Sequence, residues 1–348
     1  MSTSPEGIYE PDTVDYGLPP HPVSLVDVAD VVIGSGVTAS SLVCTVLSGS
    51  PSLNVVLVEA RDLCSGATGH NGGYIKAMSP GVWFDGKEQY GIREAIQVME
   101  NEHSHLDEIQ SCVMHNNIDC DFRLLEGLGV YHDESIFRRT TETIDDRRKA
   151  APHPSRPITQ MPAGTIWSYQ LVTGLFERMV DKYSLHIQAN TAVSSASEDQ
   201  WNRCATVKRR PGDIQAHHVV HATNAWIGHL VPQLRPFVSP VRANVQRQVP
   251  RTLSTRRNHS YWLRYAEKDY DHLIQRPDGA FIAATSDDSS KENLPHVHLQ
   301  GTTPLIFNFG RERLDVTHSW SGIVAFTQGG NPFDPFVGQL PFSRKRRQ

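Results

Sequence analysis

The sequence has no apolar run long enough to cross a bilayer; its longest apolar stretches are strand-sized. Residues 1–26 carry neither a basic start nor an apolar h-region. That polar, acidic, Pro-rich stretch is expected to be an extended arm and not a signal peptide. Cysteine is scarce: five in 348 residues, at Cys44, Cys64, Cys112, Cys120 and Cys204, odd in number and without CxxC spacing. A disulfide scaffold and a cysteine zinc site are therefore excluded, and reduced thiols in the cytoplasm are expected. Basic charge is not in excess either. Lys and Arg number 33 against 38 Asp and Glu, a net charge of −5, which argues against a nucleic-acid partner. At 39% hydrophobic and 20% charged, the composition is neither disordered nor membrane-like, and the length allows two cores.

What is present is concentrated between Asp30 and Gly73. The apolar run Val31 to Ile33 leads into Gly34-Ser35-Gly36-Val37-Thr38-Ala39. A helical pattern follows in Ala39, Leu42, Val43, Val46 and Leu47, then a second apolar run, Val55 to Val58, ending at Glu59. Strand, glycine turn, helix, strand and acid in this order are the dinucleotide-binding βαβ unit. Gly34 suits the tight turn, and Gly36 lets backbone approach a pyrophosphate. Ala39 fills the third, packing position, and the helix start offers free N–H groups to phosphate. Glu59 stands where a carboxylate accepts from a ribose hydroxyl and would repel a 2′-phosphate, so NADP is disfavoured.

A second glycine-rich stretch, Ser65-Gly66-Ala67-Thr68-Gly69-His70-Asn71-Gly72-Gly73, follows directly. A plain NAD domain has no need of it, whereas a larger dinucleotide does. The passage resembles the FAD-dependent oxidoreductases of the D-amino-acid oxidase superfamily, in the branch of glycine and sarcosine oxidases and gamma-glutamylputrescine oxidase. Gly66, Ala67, Thr68, Asn71, Gly72 and Gly73 match that branch's S-G-A-T-x-x-N-G-G. His70 stands where some relatives attach the flavin covalently, but Gly69 replaces the usual preceding Trp, and non-covalent FAD is the reading. The resemblance extends the cofactor set to Ser35, Thr38, Ala60 and Arg61, to Val193 after Asn190-Thr191-Ala192, and to Ala222 and Thr223 in Val219-Val220-His221-Ala222-Thr223-Asn224-Ala225-Trp226.

Elsewhere the pattern is coarser. Residues 85–130 read as helical, with Ile92, Ala95, Ile96, Met99, His103 and Leu106 at helical spacing. His103, His105 and Asp107 do not share one helix face, and no metal is expected. Ser135 to Pro162 reads as an exposed, charged connection. A helix over Leu171, Leu175 and Met179, a strand from Leu185 to Gln188, and a hairpin from Trp201 to Val220 follow. Tyr270 to Gly279 reads as a hairpin joined at Pro277-Asp278-Gly279.

Pro240-Val241-Arg242 resembles the family's crossing into its substrate domain. Trp320-Ser321-Gly322-Ile323-Val324-Ala325-Phe326-Thr327 and Pro335 to Pro341 resemble its return strand. In the family a last strand and a glycine-rich turn facing the flavin come next. They are not found in the tail PFSRKRRQ.

The expected fold is α/β plus β: a Rossmann-like FAD-binding domain (residues 27–84, 163–238 and 312–341) and a helical and substrate domain on a mixed or antiparallel sheet (85–162 and 239–311), with 342–348 a basic tail. The resemblance implies oxidation of a C–N bond by hydride transfer from a small amine or amino acid to flavin, with oxygen the acceptor and hydrogen peroxide a product. Arg242, Arg264 or Arg276 would clamp a substrate carboxylate, and Tyr261 is a further substrate candidate. No catalytic base is assigned. Two alternatives stay open: a flavoprotein acting on a non-amine in secondary metabolism, and a truncated, catalytically silent relative.

Overall fold

A computed structural model of the chain describes residues 29–77, 79–150, 161–199, 204–210, 212–251, 255–266, 269–285, 294–307 and 314–327. The N-terminal arm, the Pro335 to Pro341 motif and the basic tail lie outside the described residues. In chain order the elements are β1 (Ala29–Ile33), α1 (Val37–Gly49), β2 (Val55–Val58), β3 (Tyr74–Lys76), α2 (Ser79–Tyr90), α3 (Ile92–Asn116), β4 (Arg123–Tyr131), α4 (Glu134–Ala150), β5 (Pro162–Thr165), α5 (Ser168–Lys182), β6 (Leu185–Gln188), β7 (Val193–Asp199), β8 (Cys204–Arg209) and β9 (Ile214–His221). After a turn at Asn224–Trp226 come α6 (Ile227–Leu230), β10 (Val238–Val249), β11 (His259–Arg264), β12 (Tyr270–Gln275), β13 (Phe281–Thr285), α7 (Leu294–Phe307) and β14 (Asp315–Thr327).

The first sheet has six strands in the order β6-β2-β1-β9-β8-β7. β6, β2, β1 and β9 run parallel, while β7, β8 and β9 form an antiparallel meander. Its central strands are covered on both faces, which is why they read as unbroken apolar runs. Val32, Val55 and Leu57 pack with α1 and α5, and Val31, Ile33, Val56 and Val58 pack on the other side with Val207 and Ala216. Helix α1 has 13 residues and no side-chain cap, so alone it would be marginal. Burial fixes it through Ala39, Val43 and Leu47. A fully buried leucine such as Leu47 contributes about 1.5–3 kcal/mol. Gly36 leaves the first turn without a side-chain cap of its own.

The second sheet has eight strands in the order β14-β10-β13-β12-β11-β4-β5-β3. It is mixed, as expected: β11 and β4 are parallel, and the other pairs are antiparallel. Helix α7 covers one face, where Tyr261, Leu263, Leu273, Phe281 and Leu299 form a core. The other face turns toward the second glycine stretch.

Four differences from the sequence reading have physical causes. Residues 85–130 are not one helical region: Asn117 ends α3 in the left-handed conformation at φ 47°, and Arg123–Tyr131 is strand β4. Gly127 and Gly129 within it disfavour a helix, and pairing with β11 on one side and β5 on the other holds the segment extended. The supposed connection from Ser135 is helix α4, begun by Asp133, whose Oδ1 accepts from the Ser135 and Ile136 amides. Its dense charge hid the pattern. Val193, given no element in the sequence reading, begins strand β7. Finally β3, β5 and β14, lying in segments expected to belong with the cofactor domain, pair into the second sheet.

Candidate functional site

The Gly34 turn leaves β1 with φ +105°. β9 ends beside it: the Ala222 amide donates to the Ile33 carbonyl at 2.8 Å. A Cβ on Gly34 would stand 2.4 Å from the Ala222 oxygen, closer than any side chain tolerates. The hydroxyl of Thr223, the next residue, is buried without a partner among the described residues.

Glu59 at the end of β2 reaches back to this turn. Its Oε2 accepts from the Ser35 amide at 3.1 Å and the Ser35 hydroxyl at 2.8 Å, and its Oε1 accepts from the Arg61 amide at 3.0 Å. A carboxylate offers about four acceptor positions, so Oε1 keeps capacity for a ligand hydroxyl. The Asn190 amide donates to the Arg61 carbonyl and the Thr191 amide to the Glu59 carbonyl, which brings the approach to Val193 alongside Glu59. Ala60 and Arg61 are exposed beside it. Buried Cys64 also belongs to this knot, donating its thiol to the Ser35 carbonyl. Burial, followed by the nearby Glu59 charge, pushes that thiol up to about 12, so it is chemically quiet.

At the start of α1, Gly36 is the N-cap residue and offers no side chain. The Val37 amide donates to the Thr68 hydroxyl at 3.0 Å, which ties the second glycine stretch to the helix start. Thr38 and Ala39 supply the next amides of the turn. This is the geometry of an anion site at a helix N-terminus.

Within the second stretch, Asn71 acts as an internal brace. Its Nδ2 donates to the Ala67 and Thr68 carbonyls, and its Oδ1 accepts from the Gly73 amide and the Ser168 hydroxyl. Gly73 adopts φ +70° with the Ile166 carbonyl 2.5 Å from where a Cβ would be, and Gly72 packs against Tyr74 and Ala284. These conserve loop shape and contact with the second sheet, which gives Asn71, Gly72 and Gly73 a structural reason to be there. Gly66 and Ala67 lie in the same turn, and the Gly66 carbonyl contacts His70 Nδ1 at 3.1 Å.

The motifs recognised separately interlock. Trp320 Nε1 donates to the His70 carbonyl at 3.2 Å, and Gly322 lies so close that a Cβ would meet that same oxygen at 2.7 Å. Ser321 donates to Asn244 on β10, and Asn224 donates to the Ile323 carbonyl. Beyond Gly322 the same strand face continues with Val324 and Phe326, both exposed apolar side chains.

This contact orients the second sheet. The face carrying Trp320, Val245 and Ala284 also carries His272, Trp262, Arg264 and Tyr270, by cross-strand register. Arg264 is 6% exposed, with its guanidinium 4.6 Å above Trp262 and 5.3 Å from the Tyr270 ring. Lys76 on β3 joins it: its Nζ donates to the Tyr261 carbonyl at 2.8 Å and sits 5.0 Å from the Tyr74 ring and 5.2 Å from that of Trp262. Neither side chain has a carboxylate partner among the described residues.

The other substrate candidates fare differently. Tyr261 points into the α7 core, where its ring meets Phe307 edge-on at 5.1 Å, on the face opposite Arg264. Arg276 is engaged by Asp121 and packs over Trp167. Arg242 is exposed and pairs in register with Ile323, the alternate of Gly322, so it projects from the far face. The sequence reading missed Lys76. Its signal was a lone Lys three residues beyond Gly73, inside a strand too short to show alternation.

Together these features define a dinucleotide-binding α/β protein whose glycine-rich loop carries a second, mixed sheet. The chain belongs to the FAD dependent oxidoreductase family, whose model matches residues 31–346. Solved structures with the same fold include glycine oxidase from Geobacillus kaustophilus, 14% identical, TM-score 0.62, covering 87% of this chain and 84% of that one. L-amino acid deaminase from Proteus vulgaris is 13% identical with TM-score 0.64, covering 89% of this chain and 86% of that one. Iminodiacetate oxidase from Chelativorans sp. BNC1 is 12% identical with TM-score 0.62, covering 86% and 84%. A search of curated proteins gives no match. Among the described residues no helix is long and apolar enough to cross a membrane.

Proposed function

We propose that the chain oxidises a C–N bond in an amino acid or a related amine that carries a carboxylate. FAD, when bound, supplies the hydride acceptor, with oxygen as the final oxidant. The residues fit that cofactor: the contacts that exclude a Cβ at Gly34 and crowd one at Gly36 keep the turn and the helix start as bare backbone, and the Thr223 hydroxyl is buried without a partner among the described residues. In this reading the α1 start holds the pyrophosphate, Glu59 the adenosine ribose, the segment at Val193 the adenine end, and Gly66 to Gly73 the flavin side.

The observation that carries the substrate assignment is Arg264. A nearly buried guanidinium with aromatic faces around it and no acid partner is costly unless a ligand brings the anion. A carboxylate satisfies it bidentately and fixes the substrate's orientation on the sheet. Trp262 and Tyr270 wall the position and exclude water, which strengthens that interaction. The relatives named as acting on amino acids and iminodiacetate agree with this chemistry.

The test is product analysis with matched pairs, an amino acid against the same amine without its carboxylate. The acid should give an oxo acid, ammonia or amine, and peroxide. Equal turnover of the carboxylate-free partner would contradict the reading.

A further inference from the structure

Lys76 is the group that the proposed chemistry leaves unexplained. Its ammonium end is enclosed by the rings of Tyr74 and Trp262 and hydrogen-bonded to a main-chain carbonyl. It shares the substrate-side face with Arg264. We propose that Lys76 is a second substrate-binding residue that takes up the proton an amino acid's ammonium must lose before oxidation. This rests on the amino-acid reading above.

The surroundings are these. On its own strand Lys76 meets Tyr74. From β11 it faces Trp262 and Arg264, and from β12 Tyr270 and His272 share the face. Lys76 also lines a cavity of about 190 Å³ with Glu102, His103 and His105 of α3, and the Glu102 charge acts on Arg147 of α4. Burial, followed by the Arg264 charge, holds the Lys76 amine well below its usual range. A neutral lysine keeps its N–H bond to the Tyr261 carbonyl and has a lone pair free.

An α-amino acid brings an ammonium and a carboxylate attached to one carbon. With the carboxylate on Arg264, the ammonium proton has a basic acceptor close by. The ammonium N–H bond breaks and a bond to the same proton forms at Lys76 Nζ. The electron pair stays on the substrate nitrogen, leaving the neutral amine that hydride loss requires. The new Lys76 charge then pairs with the carboxylate, so net charge in the site is unchanged.

The proton can be counted without turnover. Benzoate supplies a carboxylate but no ammonium, so the proton must come from solvent. The FAD-loaded protein is titrated with benzoate calorimetrically in buffers of different ionisation enthalpy, with binding followed by the flavin bands. Wild type should take up close to one proton per benzoate. K76R should bind benzoate with no uptake, K76Q should bind about 10–100-fold more weakly, the scale of one charge-assisted bond, and H272Q should keep the uptake. Binding without uptake in wild type, or uptake that survives in K76R or vanishes in H272Q, overturns the role of Lys76 and leaves the amino-acid reading standing. No benzoate binding at all overturns both. K76R carries permanently the charge that wild type acquires only on binding, so it tests the uptake independently of whether K76Q folds. In K76R the pH profile of turnover should move to higher pH, as the substrate must then lose its proton to solvent.

Discussion

The Ala222 carbonyl occupies the space a side chain on Gly34 would need, 2.4 Å from the position of its Cβ. β9 therefore crosses the dinucleotide turn in contact, so the turn and the A-T-N-A stretch form one unit. Gly34→Ala meets both this contact and a positive φ. Backbone strain alone costs about 1–3 kcal/mol. The variant should purify without flavin and melt at lower temperature, read by thermal unfolding and by FAD content. A yellow, equally stable variant would contradict the assignment.

Glu59 already accepts three hydrogen bonds from the protein. It is thereby held in place for a ribose. Glu59→Ala should weaken FAD binding by about 1–3 kcal/mol, the range for hydrogen bonds to a charged group. It should also lower stability by leaving the nearly buried Ser35 hydroxyl without its acceptor. Equilibrium titration with FAD measures the first effect and urea unfolding the second. Unchanged FAD affinity would remove Glu59 from the site.

Arg264 and Arg276 separate binding from structure. Arg264→Ala should raise KM for a carboxylate substrate by 10–100-fold, about 1.5–3 kcal/mol for a charge-assisted pair. Arg276→Ala breaks the pair with Asp121 and should lower the unfolding midpoint with KM nearly unchanged. The reverse pattern would return the clamp to Arg276.

Burial first, and then the positive surroundings that include Arg264, hold the His272 imidazole well below 6.5. The unfolded chain then binds a proton more readily than the folded one. Stability from this group is complete above the unfolded value and falls as pH drops below it. Burial lowers His221 and His296 too, which adds to the same slope. The urea midpoint should decrease between about pH 7.5 and about pH 5.5, and H272Q should flatten the decrease. A midpoint that rises on acidification would contradict this environment.

The cofactor half was largely legible in the sequence because its constraints are local. The turn at Gly34, the packing of Ala39 and the acid at Glu59 all lie within one βαβ unit, so spacing reports them. The second sheet was not. Tyr261 and Arg264 are close in sequence, yet strand alternation sends them to opposite faces, and only the contact of Trp320 and Gly322 with His70 tells which face is inward. Arg276 reads like any other candidate until Asp121, 155 residues away, is seen beside it. Helix α4 was hidden by its charge, and β4 by the adjoining helical pattern. Asn71 was read as a cofactor contact, but its hydrogen bonds fold the loop that bears it.

The most direct measurement is anaerobic mixing of the FAD-loaded protein with α-amino acids, N-substituted amino acids and the corresponding amines, while following the visible flavin bands. The account expects bleaching by at least one carboxylate-bearing member, far slower bleaching by its carboxylate-free partner, and loss of that preference in Arg264→Ala. Bleaching that ignores the carboxylate, or no bleaching by any amine in a protein that holds FAD, would contradict it.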